Sequence, residues 1–169
     1  MVKIFLQGKP KYISTTEVRQ SSKFFSDYLL KRLSKTVTIT IVFINNLFLE
    51  ERDYGRILVE DSSTRRPRIF TIEIDSKLDK KRTILTLAHE IVHAEQYSRG
   101  RLKDSKNFCY RKWLGVVFED DYAYNKQPWE TEAFELEPFL YQLWIDHRRN
   151  FNEQNFKSTR TFYARSQKK

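Results

Sequence analysis

Two histidines four residues apart with a glutamate beside the first, His89-Glu90-Ile91-Val92-His93, are the residues of this chain whose types and spacing could do chemistry. On an α-helix, with its 3.6-residue turn, His89 and His93 stand one turn apart on one face, so two imidazoles can close on a single metal ion. Glu90 is turned roughly 100° from His89. It is too far round to be a third ligand from the same helix, yet close enough to take a proton from a water held by the ion. Two nitrogen ligands and an adjacent carboxylate base are what zinc-dependent hydrolysis requires.

Chance explains the pattern poorly. With 3 His and 13 Glu in 169 residues, random placement produces it in roughly 0.4 percent of chains of this composition. The plain alternative is a surface helix carrying two unremarkable histidines. Against it, Ile84, Leu87, Ala88, Ile91, Val92 and Ala94 make the stretch apolar round much of its circumference, and histidines buried there need polar partners.

A catalytic zinc takes three protein ligands and leaves one position for water. A third histidine following a glycine turn is excluded, because Gln96 and Arg99 stand where Gly and His would be needed. His147 sits beside Arg148 and Arg149 at a helix end, where an imidazole ordinarily meets terminal carbonyls. The single Cys109 has no second thiol for a metal site or an internal disulfide, which agrees with a reducing compartment. Glu130 and Glu132, in Pro128-Trp129-Glu130-Thr131-Glu132-Ala133, are the better candidates. They lie about 200° apart on a helix that Ala133 allows close to the first, so only one can face the metal, and spacing alone does not choose between them.

The elements that must position these residues are legible in outline. A short strand at 2–6 precedes a helix from Thr15 to Leu33, capped by Ser14 or Thr15, with Val18, Phe25, Tyr28, Leu29 and Leu33 on its apolar side. Thr36 to Ile44 alternates as a half-buried strand, with Val37, Ile39, Ile41 and Phe43 facing one way. A short strand spans Arg56 to Glu60, and another Pro67 to Asp75, with Phe70, Ile72 and Ile74 on one face. Pro67 lacks an amide donor, which marks that strand as an edge where an extended peptide could pair. Ser76 to Asp79 reads as a capping box for a metal helix from about Leu78 to Gly100. Phe108 to Phe118, with Gly115, suggests one or two short strands forming a cleft wall. Pro128 opens a second helix with Trp129, Ala133, Phe134, Leu136, Leu140, Leu143 and Trp144 on its apolar side, kinked or divided at Pro138.

The net charge of +9 is unevenly placed. Residues 148–169 hold seven Lys or Arg against one Glu, supplying +6, and the preceding 147 residues supply +3. The division expected is a catalytic domain at 1–147 and a basic C-terminal tail at 148–169. That tail suits nucleic acid, or is simply a solvated extension. No apolar run approaches a membrane span, and the N-terminus is broken by Gly8 and Pro10 too early for a signal peptide, so a cytoplasmic protein with no membrane partner is expected.

His89-Glu90-x-x-His93 followed by Gln96, with Pro128-Trp129-Glu130-x-Glu132-Ala133 downstream, resembles the gluzincin metallopeptidases, especially minigluzincins and SprT-like or phage-encoded relatives. The resemblance covers roughly residues 36–145 and implies Glu130 as third ligand, one Zn2+ ion and a peptide or protein substrate. It implies a zincin-like α+β fold: an N-terminal helix and a small, mostly antiparallel sheet with one substrate-binding edge, then two metal-binding helices. Many gluzincins carry an Asp four residues after the ligand Glu to orient the first His. Phe134 stands there in this chain, leaving Glu95 or Glu137 to take that part. SprT-like proteins use a third His, which has no counterpart here.

The function these readings imply is peptide-bond hydrolysis with Glu90 as general base and Tyr122, Tyr124, Tyr141 or Arg101 as oxyanion donor. The alternative is a nucleic-acid-associated protein with a structural or inactive zincin-like site. For it stand Phe151, Phe156, Phe162 and Tyr163 of the tail, interleaved with Arg148, Arg149, Lys157, Arg160 and Arg165.

Overall fold

The computed structural model describes residues 1–105, 109–119 and 122–166, with side chains to Phe151, except at 125, and at Glu153. Alternation builds the centre of the main sheet. In β2 (Thr38–Ile44), Ile39, Ile41 and Phe43 are buried, and in β4 (Ile69–Asp75) Phe70, Ile72 and Ile74 are fully buried, while the intervening residues stay partly exposed. Each such side chain contributes about 1.5–3 kcal/mol on leaving water. One face of the sheet is therefore apolar and must be covered.

Two helices cover it. Thr15–Leu30 forms α1, whose Ser14 cap accepts from the Glu17 amide at 3.1 Å, and a 3-10 turn at Lys31–Lys35 continues it. The second, α3 (Lys80–Arg99), starts one residue after Asp79, whose carboxylate accepts from the Arg82 amide at 2.8 Å. Asp79 itself is thus the cap, where the capping-box reading placed the helix start near Leu78. The helix ends, as expected, on Gly100 with φ 71°. Val18, Phe25 and Leu30 from α1 and Ile84, Leu87, Ala88 and Ile91 from α3 join the strand residues in one core.

Sheet order is β1-β2-β4-β3, with β1 (Lys3–Gln7) parallel to β2, β2 parallel to β4, and β3 (Gly55–Val59) antiparallel to β4. The main sheet is therefore mixed and mainly parallel, which corrects the mostly antiparallel expectation. The cause is α1, which returns the chain to the end where β1 began, so that β2 enters in the same direction. A short helix, α2 (Leu47–Glu51), then turns the chain into β3. Because β4 inserts between β2 and β3, the free edge beside the cleft is β3, not the Pro67–Asp75 segment. Pro67 precedes the first paired residue, Ile69, so its missing amide is harmless there.

Beyond α3, β5 (Leu102–Asp104), β6 (Tyr110–Trp113) and β7 (Val116–Glu119) form a separate antiparallel sheet, turning at Leu114-Gly115. Phe108, where a strand was expected to begin, lies outside the described residues. A 3-10 turn at Tyr124–Lys126 leads into α4 (Pro128–Ser166), which packs along α3 and runs undivided through Pro138. Position 148 falls inside α4, and the Arg148 guanidinium pairs with Glu17 of α1. Phe156, Lys157, Arg160, Phe162, Tyr163 and Arg165 have backbone in α4 but lie outside the described side chains. Among the described residues no helix is long and apolar enough to cross a membrane.

Candidate metal centre

On α3, His89 and His93 project from consecutive turns, and their Nε2 atoms are 3.1 Å apart. Two ring nitrogens at that separation repel if both present lone pairs, so a proton or a cation must lie between them. The first turn of α4 brings the counter-charge: Glu130 Oε2 lies 3.2 Å from His89 Nε2, and Oε1 lies 3.4 Å from His93 Nε2. Ligand atoms about 2.1 Å from a tetrahedral ion stand roughly 3.4 Å from one another. The three side chains are buried, and their donor atoms form a group that could hold a metal ion.

The remaining ring nitrogens are held from behind. His89 Nδ1 lies 3.2 Å from Glu137 Oε2, seven residues beyond Glu130 on the same helix. His93 Nδ1 lies 2.8 Å from Gln96 Oε1, and the Gln96 amide donates to the Trp129 carbonyl at 3.0 Å and to Glu132 at 2.8 Å. With Nδ1 of each ring engaged, Nε2 of each faces the ligand group, the arrangement that fixes tautomer and ring plane in metal sites. Of Glu95 and Glu137, it is Glu137 that meets His89, and the Phe134 ring meets the same imidazole edge-on at 4.7 Å.

Glu90 lies on the cleft wall beside this group, buried, with no hydrogen-bond partner among the described residues. Burial pushes its carboxyl up from the ordinary value, partly opposed by His93 and His89. Burial also opposes a charge on His89, but the bonds to Glu130 and Glu137 and the nearby Glu90 outweigh it and raise the imidazole to about 10. Glu130 is the complement: burial favours its neutral form, yet bonds from His89, His93 and Tyr124 hold it well below the usual carboxylate range.

No protein-family model, characterised protein or solved structure matches this chain. The geometry stands without them.

The other candidates separate cleanly. Glu132 points to Gln96 and Arg101 rather than to the ligand group. Glu95 is paired with Arg99 and Arg101. His147 stacks on Phe24 at 4.8 Å and does not line the metal cleft. Of the expected oxyanion donors, Tyr124 lines the cleft and donates to Glu130 Oε2 at 2.8 Å, whereas Arg101 is committed to its two carboxylates. Tyr122 packs on Phe118, and Tyr141 lies under Lys81. Burial, and next the charge of Glu130, raises the Tyr124 phenol, so it stays a donor at neutral pH.

Sequence reasoning missed the support role of Gln96, although its i,i+3 spacing from His93 was a signal for it. It also missed Asp53, Arg56 and Arg111, which line the roughly 200 Å³ cleft together with Gly55 and Ile57 of β3. These come from a loop and two strands, and no local spacing links them to α3.

Proposed function

We propose that this chain is a zinc-dependent peptidase with His89, His93 and Glu130 as ligands and Glu90 as general base. The observation that carries it is Glu90 itself: a buried carboxylate, unpartnered among the described residues, on the wall of a cleft that also contains a two-imidazole, one-carboxylate ligand group. Its oxygens are not among the sealed, unpaired side-chain atoms, so the carboxylate opens on the cleft, where a water or a substrate can reach it. That ligand set suits zinc over calcium or magnesium, which prefer all-oxygen shells.

When bound, zinc would supply Lewis acidity, polarising the scissile carbonyl and making a water acidic enough to ionise near neutral pH. Glu90 takes the proton of the attacking water and delivers it to the departing amine nitrogen; burial raises its carboxyl above the ordinary value, the direction that makes it a stronger base. Tyr124 would turn its O–H from Glu130 to the oxygen on which negative charge develops. The substrate would lie extended along the free side of β3, whose Gly55, Arg56 and Ile57 line the cleft, pairing main chain to main chain.

The test is digestion of a peptide library by the zinc-loaded protein and by Glu90→Gln. Cleavage lost with chelator, restored by zinc and absent in Glu90→Gln, with one zinc still bound, is the expected result. Undiminished cleavage by Glu90→Gln would remove the general base from the account.

A further inference from the structure

The C-terminal ends of α1 and α3 meet at the start of β4, where a cavity of about 630 Å³ is lined by Lys31, Arg32, Arg66, Arg68 and Arg99. No carboxylate lines it among the described residues. Two of the cations have structural work. Arg68 Nη1 donates to the Pro67 and Ser98 carbonyls at 2.8 and 2.6 Å, and Arg99 Nη2 donates to the Leu29 carbonyl at 3.2 Å, so both cap helix-end or loop carbonyls. Lys31, Arg32 and Arg66 do neither, and none has a carboxylate partner among the described residues. Counting Glu95 against Arg99, Asp61 against Arg68 and about half a negative charge for each helix end, the five cations leave roughly +2. Burial, and then the charge of Arg66, lowers the pKa of Arg68, with Asp61 opposing.

The positive surface continues past this cavity. Lys103 and Arg66 both approach Gly100, and Arg65 and Lys103 line the adjoining groove, in which Asp104 is already engaged by Tyr97 and Arg111. Guanidinium groups dominate the track, and their planar forks match phosphate oxygens. None of the exposed large hydrophobic residues lines the cavity, so it offers nothing to insert into a lipid surface. Two basic hollows that meet beside Gly100, rather than a single socket, fit a repeating polyanion.

We propose that this face binds the phosphate backbone of a nucleic-acid strand. The cavity has no aromatic or amide side chain to stack on or read a base, so charge on the phosphate backbone supplies the recognition. The cavity shares no lining residue with the metal cleft, and the adjoining groove shares only Tyr97 and Leu102, neither a metal-group nor a test residue, so the proposal stands or falls apart from the peptidase reading.

The test is fluorescence anisotropy of labelled DNA of about 24 nucleotides, single-stranded and duplex, titrated with the full chain and with Arg32→Glu/Arg66→Glu across a salt series. Lys9→Glu/Lys11→Glu, at the opposite end of the sheet, is the control of equal net charge, and melting curves verify that each variant is folded. Binding of either DNA form weakened at least tenfold by the Arg pair but not by the control, with the salt slope reduced by about two, is the expected result. Affinity unchanged by Arg32→Glu/Arg66→Glu overturns the proposal, placing any contact elsewhere, such as residues 148–169. Equal losses in the control reduce the effect to net charge and overturn it too. So does capture by vesicles containing phosphatidylserine in place of DNA.

Discussion

Glu137 offers the sharpest perturbation, because its contact with His89 separates charge from shape. Glu137→Gln keeps the volume and an oxygen acceptor for Nδ1 but removes the negative charge, giving His89 the kind of neutral partner that His93 already has in Gln96. Such supporting partners contribute 10- to 100-fold to metal affinity. The contact, at 3.2 Å, is longer than the roughly 2.7–2.9 Å of a strong charge-assisted bond, and the Glu137 side chain is 20% exposed. The lower end of the range therefore applies: about tenfold weaker zinc binding, or ~1.4 kcal/mol. Glu137→Ala removes the acceptor altogether, leaves a buried Nδ1–H unpaired and should approach 100-fold. The assay is competition for zinc against a chromophoric chelator at fixed pH, with circular dichroism to verify folding. Both variants within twofold of wild type would refute the orienting role.

Two further outcomes follow from the same geometry. The His89 proton, raised to about 10 from 6.5, stabilises the metal-free fold fully below pH 6.5, and this is lost as pH climbs toward 10; the Glu130 carboxylate, held below its ordinary 4.5, contributes above that pH and is lost on acidification. Zinc must displace the His89 proton, so apparent zinc affinity should rise about tenfold per pH unit between 6.5 and 9 in chelator competition, and a flat profile would contradict the paired site. Gly55 is where β3 touches α3: a Cβ there would meet Thr86 Cγ2 at 2.5 Å and the Glu73 carbonyl oxygen at 2.9 Å. Gly55→Ala should cost about 1–3 kcal/mol in urea unfolding and lower cleavage as the edge strand shifts, and full stability with full activity would show the contact to be slack.

What could be read from sequence was what local periodicity encodes. The burial of Ile39, Ile41, Phe70, Ile72 and Ile74, the span of α3 and its stop at Gly100 all follow from spacing within one element. The two histidines belong to that class, since a single helix holds both. Glu130 does not: spacing left it level with Glu132, and the family resemblance chose it. The structure brings Glu130 to the histidines and turns Glu132 to Gln96 and Arg101. Partner choice between strands was beyond reach, because nothing in Ile69–Asp75 announces that β3 will pair on its outer side. Five-residue α2 and three-residue β5 are too short for any period to register. Tyr124 and Asp53 reach the cleft through tertiary packing alone.

The proposed centre holds one ion between two imidazoles and one carboxylate. X-ray absorption at the zinc edge of the loaded protein measures that shell directly. The prediction is light-atom scatterers only, at about 2.0–2.1 Å, with the multiple-scattering signature of two imidazoles, falling to one in His93→Ala. A sulfur shell at about 2.3 Å, which would implicate Cys109, or a spectrum unchanged in His93→Ala, would contradict it.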